Sequence, residues 1–195
     1  MTVDDLDQLL YERFNLQRAD LVAALKTLPA IKPGAAALTE DEARLLDEAG
    51  FVEDPVAFAQ AAADIVAHTA VLINTAYTGP EVAALLGINE SRVRQRRGAR
   101  TLWAIESDGN WLYPAIQFEV NLKTNKPSRQ IRGLEQVFQA LPGELHPTAV
   151  AGLLRTPQIE LQVDGRPRSI LEWLRSGGPV EPVLELTEIA DWAST

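Results

Sequence analysis

"VAALLGINESRVRQRRGAR", residues 82–100, crowds Arg92, Arg94, Arg96, Arg97 and Arg100 into nine positions. The chain around it is acidic, with a net charge of −9 over 195 residues. The stretch and its approach carry helix-end signals. Thr78 stands three residues before Glu81, the spacing at which two side chains satisfy each other's helix end. Gly87 stops that short helix. Asn89 caps a second one, expected to reach about Arg97 and to stop at Gly98. Ala83 is small where the two helices must approach, and Val82, Leu86, Ile88 and Val93 supply a shared core. Two short helices joined by a three-residue turn containing glycine predict a helix-turn-helix.

The next residues, "RTLWAIESDGNWLYPAIQF" (100–118), place aromatic and β-branched side chains on both sides of Asp108-Gly109, a hairpin signal. Pro114 is expected to confine the second strand to an edge. A hairpin directly after such a helix pair reads as a wing. In this arrangement the second helix enters the major groove. With Val93 facing the core, Ser91, Arg92, Arg94, Gln95 and Arg96 are expected to point outward. Arginine can read guanine and glutamine can read adenine. Arg97 and Arg100, at the helix end, suit phosphates. On this reading the arginines are concentrated because only this surface faces DNA. The competing reading is a helical hairpin with a solvated basic face.

Charge is distributed unevenly. Residues 1–67 carry 5 basic and 13 acidic side chains, residues 68–134 carry 9 and 5, and residues 135–195 carry 4 and 9. Acidic flanks repel a phosphate backbone, so nucleic-acid contact is expected in the middle alone. There is no cysteine, which excludes disulfides and thiolate metal sites. No apolar run is read as approaching the roughly 20 residues of a membrane span. "MTVDDLDQLL" is acidic where a secretion signal is basic, so a cytoplasmic protein is expected.

The expected fold is mainly α, in three parts: an acidic helical region over 1–67, the winged helix-turn-helix over 68–127 and a helical domain over 128–195. In the first part, Thr2 with Asp5 and Thr39 with Glu42 have capping spacing. A short helix is expected from Asp20 to Leu28, "PAIKPGAAA" (29–37) reads as a linker, and Asp54-Pro55 starts an alanine-rich helix. His68 on that helix reads as a packing or surface residue. In the last part, "SRQIRGLEQVFQAL" (128–141) reads as one amphipathic helix and a candidate dimer contact. Helices follow at Thr148–Arg155, Ser169–Ser176 and from Pro182 to about Ala190, with "TPQIELQVDGRPR" (156–168) as a loop.

"TGPEVAALLGINESRVRQRR" followed by "GNWLYPAIQF" resembles the winged helix-turn-helix of MerR-type and excisionase-type DNA-binding proteins. It departs from the phage-repressor pattern, which has an apolar residue where this chain has Arg96. The C-terminal third resembles the toxin-binding domain of Xre/MbcA/ParS-type antitoxins. Leu153, Leu154, Pro157, Leu161, Gly165, Pro167, Leu171, Gly177, Val183 and Leu186 carry that likeness. It implies three C-terminal helices and a partner, a RES-domain toxin that consumes NAD. The expected toxin-binding residues are Arg155, Trp173, Trp192, Ala193, Ser194 and Thr195, the two tryptophans being large amphipathic anchors of the kind that dominate interfaces and the tail reaching a cleft; the competing reading of Trp173 is a core residue.

The leading expectation is therefore an antitoxin of a type II toxin–antitoxin system that represses its own operator as a homodimer. The alternative is a stand-alone transcriptional regulator whose C-terminal helices dimerise it. No catalytic residue, metal site or cofactor is expected. His68 and His146 are the only histidines, and His146 before Pro147 reads as a turn residue. No glycine-rich phosphate loop or serine elbow is present. Glu40, Asp41 and Glu42 sit at a helix start, where they complement the helix dipole.

Overall fold

The computed structural model describes residues 3–28, 39–50, 55–121 and 126–192. The linker at 29–37, the Thr2 and Asp54 caps, the Trp192 side chain and residues 193–195 lie outside the described residues. The protein is helix-rich with small antiparallel sheets, and it divides into two compact units, Met1–Asn74 and Thr75–Thr195.

The first unit holds α1 (Val3–Phe14), α2 (Arg18–Leu25), α3 (Glu40–Glu48) and α4 (Pro55–Asn74). Its small core joins Leu16, Ala24, Val66 and Ala70, with Leu21 and Leu28 against them. Thr39 and Glu42 cap α3 reciprocally, at 2.8 and 3.4 Å. The membrane expectation needs correction here. Val56–Asn74 is long and apolar enough to cross a bilayer by length and composition, because alanine dilutes its polar residues. Its second half is a core helix of this unit, with Val66, Ala70, Leu72 and Ile73 buried.

The second unit begins with β1 (Tyr77–Thr78), α5 (Gly79–Leu86) and α6 (Glu90–Gly98). The Glu81 carboxylate accepts from the Thr78 N–H at 2.7 Å and its hydroxyl at 2.8 Å. Gly87 ends α5 at φ +65°, and Asn89 Oδ1 accepts from the Arg92 N–H at 2.8 Å to start α6. Val82, Ala83 and Val93 are buried with Leu102, Tyr113 and Phe118 in one core. The chain leaves α6 not at Gly98, which lies within the helix, but through Arg100, a non-glycine residue at φ +55°.

β2 (Ile105–Ser107) and β3 (Asn110–Tyr113) pair around Asp108-Gly109, with Glu106 opposite Trp111. β3 is the central strand rather than an edge, since β1 pairs its far side, Tyr77 opposite Tyr113. Pro114 lies one residue past β3 and removes no ladder bond. A short 3₁₀ turn, Ala115–Gln117, leads into β4 (Phe118–Asn121), which pairs with β5 (Lys126–Gln130).

Here the single helix expected over 128–141 is corrected. Its first residues are strand: Arg129 faces Glu119 across the ladder, with an ion pair of 2.6 Å, and the Ile131 N–H donates to the Gln117 carbonyl. Helix begins only after Gly133, as α7 (Leu134–Ala140). The expected division between 127 and 128 thus falls inside β5, and that between 67 and 68 falls inside α4.

α8 (Pro147–Arg155), β6 (Pro157–Val163), β7 (Arg166–Ser169), α9 (Ile170–Arg175) and α10 (Glu181–Trp192) complete the chain. The segment expected as a loop is the hairpin β6–β7, turning at Asp164-Gly165, so the region is not helical throughout. Ile131, Leu134, Val137, Phe138, Leu154, Leu161, Ile170, Leu171, Leu174 and Val183 form its core. The apolar face of α7, expected as a candidate dimer contact, is buried in that core.

Candidate nucleic-acid interface

The five arginines separate into two groups. At the front of α6, Ser91, Arg92, Arg94 and Gln95 are exposed. Arg92 donates to Gln95 Oε1 at 3.3 Å, one helical turn on. Ser91, Arg92 and Gln95 line a shallow depression of about 420 Å³ with Gly87, Ile88 and Asn89.

At the rear, the side chains turn onto the protein. Arg96 is half-buried. It donates to Gln130 Oε1 and, at 3.5 Å, to Thr101 Oγ1. Arg100 donates to the Phe138 carbonyl at 3.1 Å, beside the C-terminal end of α7. Arg96 therefore turns onto the protein, which corrects the expectation that it points outward, whereas Arg100, expected at a phosphate, is exposed and commits one N–H to the Phe138 carbonyl. The cause is chemical: carbonyls near the end of α7 and the Gln130 amide oxygen need donors, and a guanidinium reaches them. Gln139 completes the bracket by donating to the Ala99 carbonyl at 3.1 Å, and Gln130 donates to that of Thr101 at 2.7 Å.

Arg97 lies between the groups. Its guanidinium carbon sits 4.0 Å from the centre of the Trp111 ring on β3. Burial pushes the neighbouring Tyr113 phenol up from its ordinary value. The Arg97 charge, a hydrogen bond from Arg97 and the Arg94 charge act in the opposite direction.

Among the described residues, none of these five arginines has a carboxylate within 4 Å; Arg18, Arg44 and Arg129 do, while Arg13, Arg132, Arg155, Arg166, Arg168 and Arg175 do not, so what sets the five apart is their spacing, five within nine positions. Acidic side chains outnumber basic ones by 27 to 18 in the whole chain, so five unneutralised cations close together are not a matter of supply.

The residues expected to meet a toxin are less gathered. Arg155 is exposed at the end of α8. Trp173 is half-buried against the C-terminal core, and its Nε1–H donates to the Pro179 carbonyl at 2.8 Å. The two make no hydrogen bond or ion pair with each other. The side chains of Trp192, Ala193, Ser194 and Thr195 are outside the described residues. His146 caps α8, accepting from the Thr148 N–H at 3.3 Å. Burial lowers its pKa, and its Nε2 is buried without a partner. Among the described residues no cluster of three His, Asp or Glu side chains could hold a metal.

Sequence reasoning missed Trp111, Gln130 and Gln139. Trp111 was legible as an aromatic residue on a hairpin next to an arginine-rich helix. The glutamines act 34 and 40 residues from their partners and leave no local signal. Comparison with family models, with curated proteins and with solved structures found no match.

Proposed function

We propose that this chain is an antitoxin and autorepressor, acting in the cytoplasm as a homodimer. Residues 75–121 act as a winged helix-turn-helix on operator DNA, and the region from 131 onward binds a RES-domain toxin. One observation carries the DNA half: the arginines of α6 lack carboxylate partners in an acidic chain. Unneutralised cations close together favour anions, and a helix capped at Asn89 with an exposed front fits a major groove. Ser91, Arg92, Arg94 and Gln95 face bases, and Arg97 faces a phosphate.

The toxin half rests on the likeness of the C-terminal third to Xre/MbcA/ParS-type antitoxins. It is supported by Leu154, Leu161, Leu171, Val183 and Leu186, positions of that pattern which share one core. The test has two arms. The full chain should shift a duplex from its own promoter, with affinity falling steeply as salt rises. It should also co-purify with a RES-domain protein encoded beside it. Binding without a toxin partner would reduce the proposal to a transcriptional regulator; failure to bind any duplex at low salt would remove the DNA half.

A further inference from the structure

Trp111 stands on the central strand β3, with 39% of its surface exposed. It is the one large apolar side chain left open on the first hairpin among the described residues; a single exposed ring is ordinary in itself, and what marks this one is the cation over it. Arg97 comes from α6, a different element, and lies over the ring at 4.0 Å.

Stacking of this kind engages the flat face of a guanidinium and leaves its N–H groups to point outward from the edge. Tyr113 lies near enough for the Arg97 charge to act on its phenol, and a guanidinium has five N–H donors. No carboxylate meets the edge among the described residues. A phosphate accepts two parallel N–H···O bonds from a guanidinium whose plane is already held. An unsupported arginine must first lose its rotamer freedom. The stack removes that loss before the anion arrives.

We propose that Trp111 is a positioning residue for DNA contact, its indole holding Arg97 with N–H donors turned to a backbone phosphate. This rests on the reading of α6 as the DNA-facing helix and adds a second element to it. The contact surface runs from α6 onto β3, and the phosphate clamp is built from both. Arg96 and Arg100 do not share this role, because they are turned to Gln130 and Phe138.

The experiment uses the full chain and a labelled random-sequence duplex about 30 base pairs long, three helical turns. Affinity is measured between about 50 and about 200 mM salt. Arg97→Gln is expected to weaken binding about three- to tenfold and to lower the salt slope by about one, the value for a single phosphate ion pair. Trp111→Leu is expected to do the same, and the double variant to be no weaker than either single one. A merely structural tryptophan predicts otherwise: melting temperature falls while the salt slope of the folded fraction stays at the wild-type value. Unchanged affinity and slope in Trp111→Leu, or losses that add in the double variant, overturn the proposal. If Trp111→Leu melts too early to measure, Trp111→Phe carries the test. It keeps a packed ring with a weaker π face, and an intermediate loss of affinity and slope is expected; no loss overturns the proposal. A wild-type chain that ignores the duplex at the lower salt overturns the reading of α6 itself, and the clamp with it.

Discussion

At the front of α6, Arg92 and Arg94 are exposed, and Arg92 bonds within its own helix; at its rear, Arg96 and Arg100 reach Gln130 and the Phe138 carbonyl. One run of arginines thus serves two ends. The front is an exposed surface whose side chains, the Arg92–Gln95 bond aside, hold no other element of the fold. The rear is a bracket that fastens α6 to β5 and α7, so that the helix presenting the front is itself held in place. A basic cluster read only as charge merges these roles. The geometry separates them by which oxygen each guanidinium meets.

The widest separation is expected from the front. Arg92→Ala with Arg94→Ala should cost about 1–3 kcal/mol of operator affinity for each base-reading arginine. Stability should move by less than about 0.5 kcal/mol, as for other exposed positions. Binding titrations beside denaturant melts check this, and a large stability loss would erase the distinction.

Arg96→Ala should behave in the opposite way. It strands the Gln130 Oε1, and removal of the charge-assisted bond should lower stability by about 1.5–3 kcal/mol. Gln130→Ala should cost a similar amount. A double-mutant cycle should show the two losses to be less than additive. Additive losses would mean that the pair holds nothing.

Arg100 gives a finer division. Both Arg100→Ala and Arg100→Gly lack the bond to Phe138, but only glycine relieves the left-handed backbone at φ +55°. Arg100→Gly should therefore be more stable than Arg100→Ala by on the order of 1 kcal/mol, the left-handed penalty of a Cβ less the extra unfolded-state freedom of glycine. Equal melting temperatures would assign the bend no strain.

The smallest effect is a pH dependence that neither half of the run should share. Burial lowers the pKa of His146, so protonation favours the unfolded chain. The corresponding stability is present above the ordinary histidine value of about 6.5 and is lost as pH falls toward the folded-state value. His146→Asn keeps an oxygen to cap α8 and should flatten the melting-temperature profile below about pH 6.5. Duplex affinity of the folded protein should not follow that profile, because the arginines stay charged; a parallel fall would tie α6 to His146.

What can be read in advance is local. Thr78 with Glu81, Gly87 and Asn89 announce both ends of α5 and the start of α6 within a few residues of themselves, and the structure places them there. Asp108-Gly109 announces the first hairpin in the same way. The same dipeptide, Asp164-Gly165, announces the second, but Pro157 and Pro167 argue against strands. Both prolines are tolerated because β6 and β7 form a sheet of two, in which each strand has a free edge. Residues 128–141 mislead for a deeper reason. Ile131, Leu134, Phe138 and Leu141 fit a helical period, yet all four reach one core with Ile131 outside the helix. Pairing with β4, a tertiary contact, decides the conformation of 126–130. The candidate site divides likewise: the exposure of Arg92 and Arg94 follows from Val93, whereas the duties of Arg96 and Arg100 depend on partners 34 and 38 residues away.

The turn between α9 and α10 has a consequence for engineering the chain. The Trp173 indole closes over Gly178, where an added Cβ would lie 2.4 Å from a ring atom. The Gly178 N–H also returns to the Trp173 carbonyl at 3.0 Å. A loop tied to itself in this way accepts neither a methyl group nor an extra residue, and an affinity tag or domain inserted there would lever the indole off its seat. The Asp164-Gly165 tip of the second hairpin is exposed, and no Cβ at Gly165 would meet a neighbour. Grafts and permuted termini belong at that tip, where a lengthened turn leaves the buried side chains of the hairpin and its flanking helices in register.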